Sequence, residues 1–387
     1  MTRVAIILLL FLWLAGQSVR AGDPLTDNLS LRGYIKAMPG LNLDKDFSDP
    51  GFHNVLHNRL NFRWDISENV DLRIEGRNRL MYSKMFAEIP DVEDILGQDD
   101  GLADMSWVWF SDDRLIGLSE IDRLYLSWRA DNWRIRIGRQ RINWGINLVS
   151  NPNDLFNTYS FFDFDYVERP GSDALRIQHY LGGLSSIELA VNPARNTRDM
   201  VAAAKFAHNL HGYDIQVITG YFRDRFAAGG GWAGHIGAAG FKGEATWFYD
   251  LEERAVSKRS NLVAATGIDY MFVNGTFVVA EFLYNGGYGR QEEGIFMITQ
   301  PLQPDNIMFS EFAVTLSADR AFSPIFSSGL ALMALPDIDA AFVMPRFNYS
   351  VMTNVDFQFI AQIFLGGENT LFEQAGSSWF VSLQYSF

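Results

Sequence analysis

The sequence predicts an all-β chain: a transmembrane antiparallel β-barrel of about 18 strands, with 16 the alternative count, preceded by a cleaved signal peptide. Three observations carry this. First, the last ten residues, S-W-F-V-S-L-Q-Y-S-F, place Trp379, Val381, Leu383, Tyr385 and Phe387 on one face of a strand. Ser378, Phe380, Ser382, Gln384 and Ser386 fall on the other, because side chains alternate with period two. One apolar and one mostly polar face suit a wall between lipid and a watery lumen. Such alternation also occurs in soluble sandwiches, so the other end of the chain decides. Second, Met1–Ala21 has a basic start at Arg3, an apolar run from Val4 to Gly16, and Val19-Arg20-Ala21 before Gly22, the pattern of a secretory signal. Third, no later stretch approaches 18 consecutive apolar residues. Lipid accepts only structures that satisfy every backbone group internally, which leaves the barrel.

Composition agrees. The 387 residues are 48% hydrophobic and 14% aromatic, and mean hydropathy is near zero, too polar for a helical membrane protein. An exported chain without cysteine is not a disulfide-stapled scaffold. The net charge is -14; loss of Arg3 and Arg20 with the signal leaves 30 basic against 46 acidic residues. A chain this acidic is a poor partner for nucleic acid.

The signal is assigned to 1–21 and a single barrel domain to 22–387. Alternating segments predict strands near 28–38, 55–66, 69–81, 119–130, 132–141, 172–181, 184–192, 200–209 and 212–222. The second half continues with 230–239, 241–251, 260–272, 275–286, 310–319, 322–334, 338–350, 353–366 and 377–387. Short connections, such as Ser67-Glu68, Gly182-Gly183, Gly240, Asp319-Arg320 and Met352, alternate with longer ones, including 39–54, 82–118, 142–171, 223–229 and 287–309. Short turns on one rim and longer loops on the other are expected of a barrel inserted from one side. Asn274-Gly275 is a two-residue hairpin signal, since both central positions of that turn favour positive φ. Gly229-Gly230-Gly231 reads as loop punctuation at a strand end, and no phosphate-cradling motif surrounds it; no cofactor is expected.

Sorting strands by parity gives the lumen. Leu60, Phe62, Trp64 and Ile66 face out, so Arg59, Asn61, Arg63 and Asp65 face in; Leu72, Ile74 and Leu80 face out, so Arg73, Glu75, Arg77 and Arg79 face in. Arg32, Lys36, Arg123, Arg129, Arg134, Arg136 and Arg176 share that inner face. Later strands offer mostly small or neutral inward groups, such as Thr315, Asn348 and Gln358. Arginines stay charged and match carboxylate and phosphate, so this wall is suited to anions; they also suit bracing, paired with Asp65, Asp71, Glu75, Glu120 and Asp122 across strands.

The segment 142–171 is rich in aromatics for a free loop. It is expected to fold back into the barrel as a constriction carrying Asp154, Phe156, Asp163, Asp165, Glu168 and Arg169, with a compact external plug or lid as the alternative. The 82–118 loop holds nine acids in a spacing that fits no defined calcium loop, so a solvated acidic surface is expected. The six histidines form no catalytic or metal constellation: His208 and His211 bracket a turn, and His179 has lipid-facing parity.

Two resemblances complete the reading. The terminal strand ending in Phe387 resembles that of bacterial outer-membrane proteins, which implies a cell outer membrane location and recognition by the barrel-assembly machinery. The run Gly138-Arg139-Gln140, Ile142-Asn143-Trp144-Gly145 and Asn151-Pro152-Asn153-Asp154 is similar to the alginate-export porin superfamily and its uncharacterised relatives. That similarity covers about 30 residues; it implies a passive channel and transfers no substrate. The expected function is therefore a non-enzymatic outer-membrane porin for small polar, anionic solutes. The alternatives are a dedicated exporter of an anionic polysaccharide, or a specific organic-acid or hydrophobic-compound channel.

Overall fold

The computed structural model describes residues 28–44, 50–99, 101–158, 161–162, 171–252, 259–289, 302–367 and 370–387. The predicted signal peptide, and Asp163, Asp165, Glu168 and Arg169, lie outside these residues. The described chain forms one antiparallel sheet. Its first strands are β1 (Leu29–Leu43), β2 (Gly51–Ser67), β3 (Val70–Ser83), β4 (Ser106–Asp112), β5 (Leu115–Ala130), β6 (Trp133–Gln140), β7 (Ser172–Gly182), β8 (Ser185–Asn192), β9 (Val201–Leu210) and β10 (Tyr213–Phe222). There follow β11 (Arg225–Ile236), β12 (Ala239–Asp250), β13 (Ser260–Met271), β14 (Thr276–Asn285), β15 (Phe312–Ser323), β16 (Phe326–Leu335), β17 (Ala340–Met352), β18 (Val355–Gly366) and β19 (Ser377–Ser386).

Each strand pairs with its sequence neighbours except at β3, which pairs directly with β5; β4 is a loop strand laid on the upper edge of β5, above the shorter β6. The wall thus has 18 strands. It closes where β19 meets β1, with Phe387 and Gly33 exchanging backbone hydrogen bonds of 2.9 Å. Closure removes both edges of the described wall, leaving each wall strand with a partner on either side.

The period-two pattern fixes the faces. On β2, Phe52, Leu56, Trp64 and Ile66 are exposed on the outer surface, while His57 and Arg59 on the other parity are buried. A bulge in β5 places both Asp122 and Arg123 against Glu75, so parity shifts by one at that point and both residues face in.

The short-turn rim is tight. Asp131, His211 and Asn354 adopt positive φ there, a conformation that Asp, Asn and His tolerate better than most residues. Between β13 and β14 only Gly275 has positive φ; Asn274 does not, and its side chain instead accepts from the Thr276 N–H. Several connections are shorter than expected or displaced, three of them between β10 and β16. The turn after β11 is at Gly237-Ala238 rather than Gly240, and that after β15 at Pro324-Ile325, so Asp319-Arg320 lies inside the strand. The third, 223–229, is a two-residue turn at Arg223-Asp224. The triple glycine therefore sits within β11, for a reason found at the site.

Candidate lumen site

Two loops and a short helix enter the barrel from the long-loop rim and share one apolar core with the inner faces of β8–β18. From 142–162, Ile142, Trp144, Leu155 and Phe162 are almost completely buried. From 302–310, Leu302, Ile307, Met308 and Phe309 join them, as does Phe372 from the helix Leu371–Ala375. Phe162 is central: its ring lies 5.0 Å from Phe342, 5.8 Å from Phe364 and Phe372, and 5.9 Å from Phe309.

The backbone of 142–162 is satisfied by inward-facing side chains of successive strands. The Trp144 indole donates to Glu188 on β8, and the Trp144 carbonyl accepts from Gln216 on β10 at 2.6 Å. Ile146 N–H donates to Glu244 on β12 at 2.6 Å. Val149 and Ser150 N–H donate to the two oxygens of Glu281 on β14, at 3.2 and 2.7 Å. Thr246 donates to the Pro152 carbonyl, and Gln362 on β18 to that of Phe162. Locally, Asn151-Pro152-Asn153-Asp154 closes a turn through the Asp154 N–H to Asn151 carbonyl bond, at 3.1 Å. Irregular backbone buried inside a barrel needs such partners. Glu244 and Glu281 supply them from fully buried positions, and neither makes an ion pair among the described residues.

This packing explains the glycines of β11. A Cβ on Gly229 would lie 2.8 Å from Asn153 Oδ1 and 2.7 Å from Thr246 Oγ1, and one on Gly231 would lie 2.8 Å from Ile146 Cδ1. The strand is bare here because the loop lies on it.

The 302–310 segment, by sequence part of the long 287–309 loop, is the second loop seated in the lumen. Arg225, nearly fully buried on β11, pairs with Asp250 and with Asp305, while Asn285 donates to the Met308 and Ser310 carbonyls. The signal for it was there: Asp305-Asn306 followed by Ile307-Met308-Phe309 repeats the polar-turn-then-apolar pattern of Asn153-Asp154-Leu155-Phe156. The expectation of mostly small, neutral inward groups on the later strands is corrected on the same ground. Phe222, Phe248, Leu283, Met333, Phe342 and Phe364 face in near the long-loop rim, under the loops. Towards the short-turn rim the inner face is polar, with the Asp319–Arg346 ion pair, Asn348 and Gln358.

The basic wall divides by height. At mid-height Arg59 is fully buried between Asp122 and Glu75, and Arg77 and Arg79 share Glu120. Arg123 is also buried, and Arg176 pairs with Glu188 at 2.7 Å. Nearer the short-turn rim, Arg63 and Arg73 are 41% and 36% exposed and, among the described residues, pair with carboxylates on their own strands. Arg32 is exposed on the inward parity of β1. Arg134 and Arg136 are half-buried on β6 and make no ion pair among the described residues; Arg136 stacks 5.1 Å over the Tyr125 ring. Of the expected constriction residues within the described chain, Asp154 is fully buried and Phe156 packs edge-on against Trp144.

The 82–118 loop is more ordered than a solvated acidic surface. Its Val92 packs on Met81, Ile116 and Leu118, and Asp99 receives Arg139, which also holds Asp173 at 2.8 Å. Burial pushes the Asp99 carboxyl up, but hydrogen bonds from Arg139 and from the Met105 and Gly101 N–H groups outweigh it and hold it below the usual carboxylate range. Arg139, in the Gly138-Arg139-Gln140 run, is thus the anchor of this loop.

No family model matches the chain, and no curated protein matches it in sequence. The alginate-export resemblance accordingly rests on its quoted residues alone. Solved structures do match. The chain is similar to OprD of Pseudomonas aeruginosa, described as an outer membrane protein (TM-score 0.57, 7% identity, 93% of each chain covered). It is also similar to OccD3 (OpdP) of the same organism (TM-score 0.56, 11% identity, 94% of this chain and 92% of that one). OccAB4 of Acinetobacter baumannii gives a TM-score of 0.56 at 8% identity, over 94% of this chain and 99% of that one. At these identities the shared property is the fold. The chain is a closed 18-stranded antiparallel β-barrel of the outer-membrane porin fold.

Proposed function

We propose that the chain is an outer-membrane channel passing small polar, preferentially anionic solutes, with 142–162 as its constriction and the arginines near the short-turn rim as its lining. The observation that carries this is the asymmetry of the inner wall. Loops are seated on β8–β18, and the half-exposed Arg63, Arg73, Arg134 and Arg136 stand on the opposite strands. Inward-facing basic residues outnumber acids on β1–β8, so the mid-height ion pairs leave positive potential at that rim. Arg59 and Arg77, by contrast, are braces, since a buried guanidinium held by carboxylates offers a solute little, and Arg123 is buried beside them with a bond to the Asp122 carbonyl.

The test is the reversal potential of the mature chain in a planar bilayer under a potassium chloride gradient. Chloride preference that falls with Arg134→Ala and Arg136→Ala is expected. Cation preference, or an unchanged reversal potential in the variants, would reject the anion-selective reading. A dedicated, substrate-gated channel is the second reading, favoured by the number of buried side chains that hold the loop; it requires low basal conductance.

A further inference from the structure

The arginine side of the lumen holds one carboxylate that belongs to no buried brace. Among the described residues, the inward acids of β3, β5, β6 and β7 are Asp71, Glu75, Glu120 and Asp122. Glu75, Glu120 and Asp122 hold Arg59, Arg77 and Arg79 at mid-height. Asp71 stands apart, the second residue of β3 after the short turn, with its side chain only 5% exposed. It pairs with Arg129 on β5 at 3.1 Å and with Arg73 on its own strand at 3.8 Å, yet both guanidiniums stay wet, at 43% and 36% exposure. Register brings two more arginines close. Arg63 lies opposite Arg73, and Arg136 lies one strand beyond Ser127, the uncharged and fully buried residue opposite Asp71. On the other side Asp65 faces Asp71 from β2, but it is 37% exposed and pairs with Arg63.

The bonds of Asp71 and its field have different weights. Ion pairs to guanidiniums that remain in water add little stability, because solvent screens them. A charge sunk in the wall is screened much less, so it is felt along the path beside it. Arg63, Arg73, Arg129 and Arg136 create a positive potential at this rim, and the buried carboxylate among them offsets part of it. Conduction needs that offset, since a site must be weak enough to release what it attracts.

We propose that Asp71 is a specificity-determining residue of the channel: it limits how strongly the arginine rim attracts and holds anions, and so sets the balance between selectivity and release. This role rests on the channel reading of the lumen, but not on which sign of ion the wild-type chain prefers.

Wild type, Asp71→Asn and Asp71→Glu are compared as mature chains in planar bilayers under a potassium chloride gradient, with heat-modifiable gel mobility confirming folded barrels. Asp71→Asn should raise the chloride-to-potassium permeability ratio at least about twofold in ~0.1 M salt, the effect of one unit charge several ångströms from the path, and the rise should shrink in ~1 M salt. Asp71→Glu keeps the charge and should stay near the wild-type ratio. Sulfate added to one side should block the Asp71→Asn current for longer than that of wild type. An unchanged ratio in Asp71→Asn at low salt would reduce Asp71 to a brace, and a lower ratio would mean that it only positions the arginines; either result overturns the proposal. If Asp71→Asn yields no folded barrel, Asp71→Ser, whose small side chain lets water reach Arg73 and Arg129, is held to the same two outcomes. The wild-type reversal potential reports separately on the anion-selective reading, because the shift between wild type and variant has the same predicted direction whichever ion the wild type prefers.

Discussion

The inner faces of β2–β5 and of β10–β14 are both built on buried charge, yet they use it in opposite ways. On β2–β5, Arg59, Arg77 and Arg79 meet Glu75, Glu120 and Asp122 on neighbouring strands, so the wall satisfies itself. On β12 and β14, Glu244 and Glu281 have no basic neighbour within ion-pair distance among the described residues and accept the N–H groups of Ile146, Val149 and Ser150 instead. A self-paired wall stays a wall, whereas a wall of acceptors becomes a seat for irregular backbone. The side of the lumen that is filled follows from this difference.

The largest effect should come from the core of the seated side. Phe162→Ala removes a buried ring packed among Phe161, Phe309, Phe342, Phe364 and Phe372, a change that costs about 3–5 kcal/mol. Its denaturation midpoint in detergent should fall well below that of wild type, and channel noise should rise. Next, Glu281→Ala leaves two loop N–H groups without their acceptor, at about 1–3 kcal/mol each. Glu281→Gln keeps an acceptor oxygen and should lose less, and single-channel recordings of the two would separate seating from charge. Gly229→Ala should follow, at about 1–3 kcal/mol, because its Cβ meets Asn153 and Thr246. If Gly229→Ala leaves loop protection in hydrogen exchange unchanged, the loop does not lie on β11.

The smallest effect concerns the outer loop. Asp99 has a depressed carboxyl pKa in the folded chain. Its contribution is therefore fully present above the ordinary value of 3.8 and is lost as pH falls through the lower folded value. Limited proteolysis around 98–105 should speed up only below that ordinary value, and Asp99→Asn should show fast cleavage at neutral pH.

Much of the fold was legible because a barrel wall between lipid and water imposes parity on every strand, and all 18 wall strands follow from it. What escaped is local signal serving a distant need. Gly229-Gly230-Gly231 has the composition of a turn but sits mid-strand, since the space above it belongs to Asn153 and Ile146. The bulge at Asp122 shifts the inward set by one residue, and no alternation pattern announces it. The aromatics of 142–171 pointed to a buried segment, whereas its hydrogen-bond partners, the acceptors Glu188, Glu244 and Glu281 and the donor Gln216, are scattered over four strands as single polar residues. The basic wall was legible by parity, but its division into buried braces and exposed arginines depends on Glu75, Glu120 and Asp122 and so on register.

The division of the lumen is tested most directly by thiol block of current in a chain that has no cysteine of its own. Gln178→Cys stands beside Arg134 on the basic side, and Ala265→Cys lies beneath the loops on β13, where Ala265 is 4% exposed. A charged, membrane-impermeant thiol reagent should reduce the current of the first and leave the second unchanged. Block at Ala265→Cys with none at Gln178→Cys would contradict the account, because the path would then run through the side assigned to the loops.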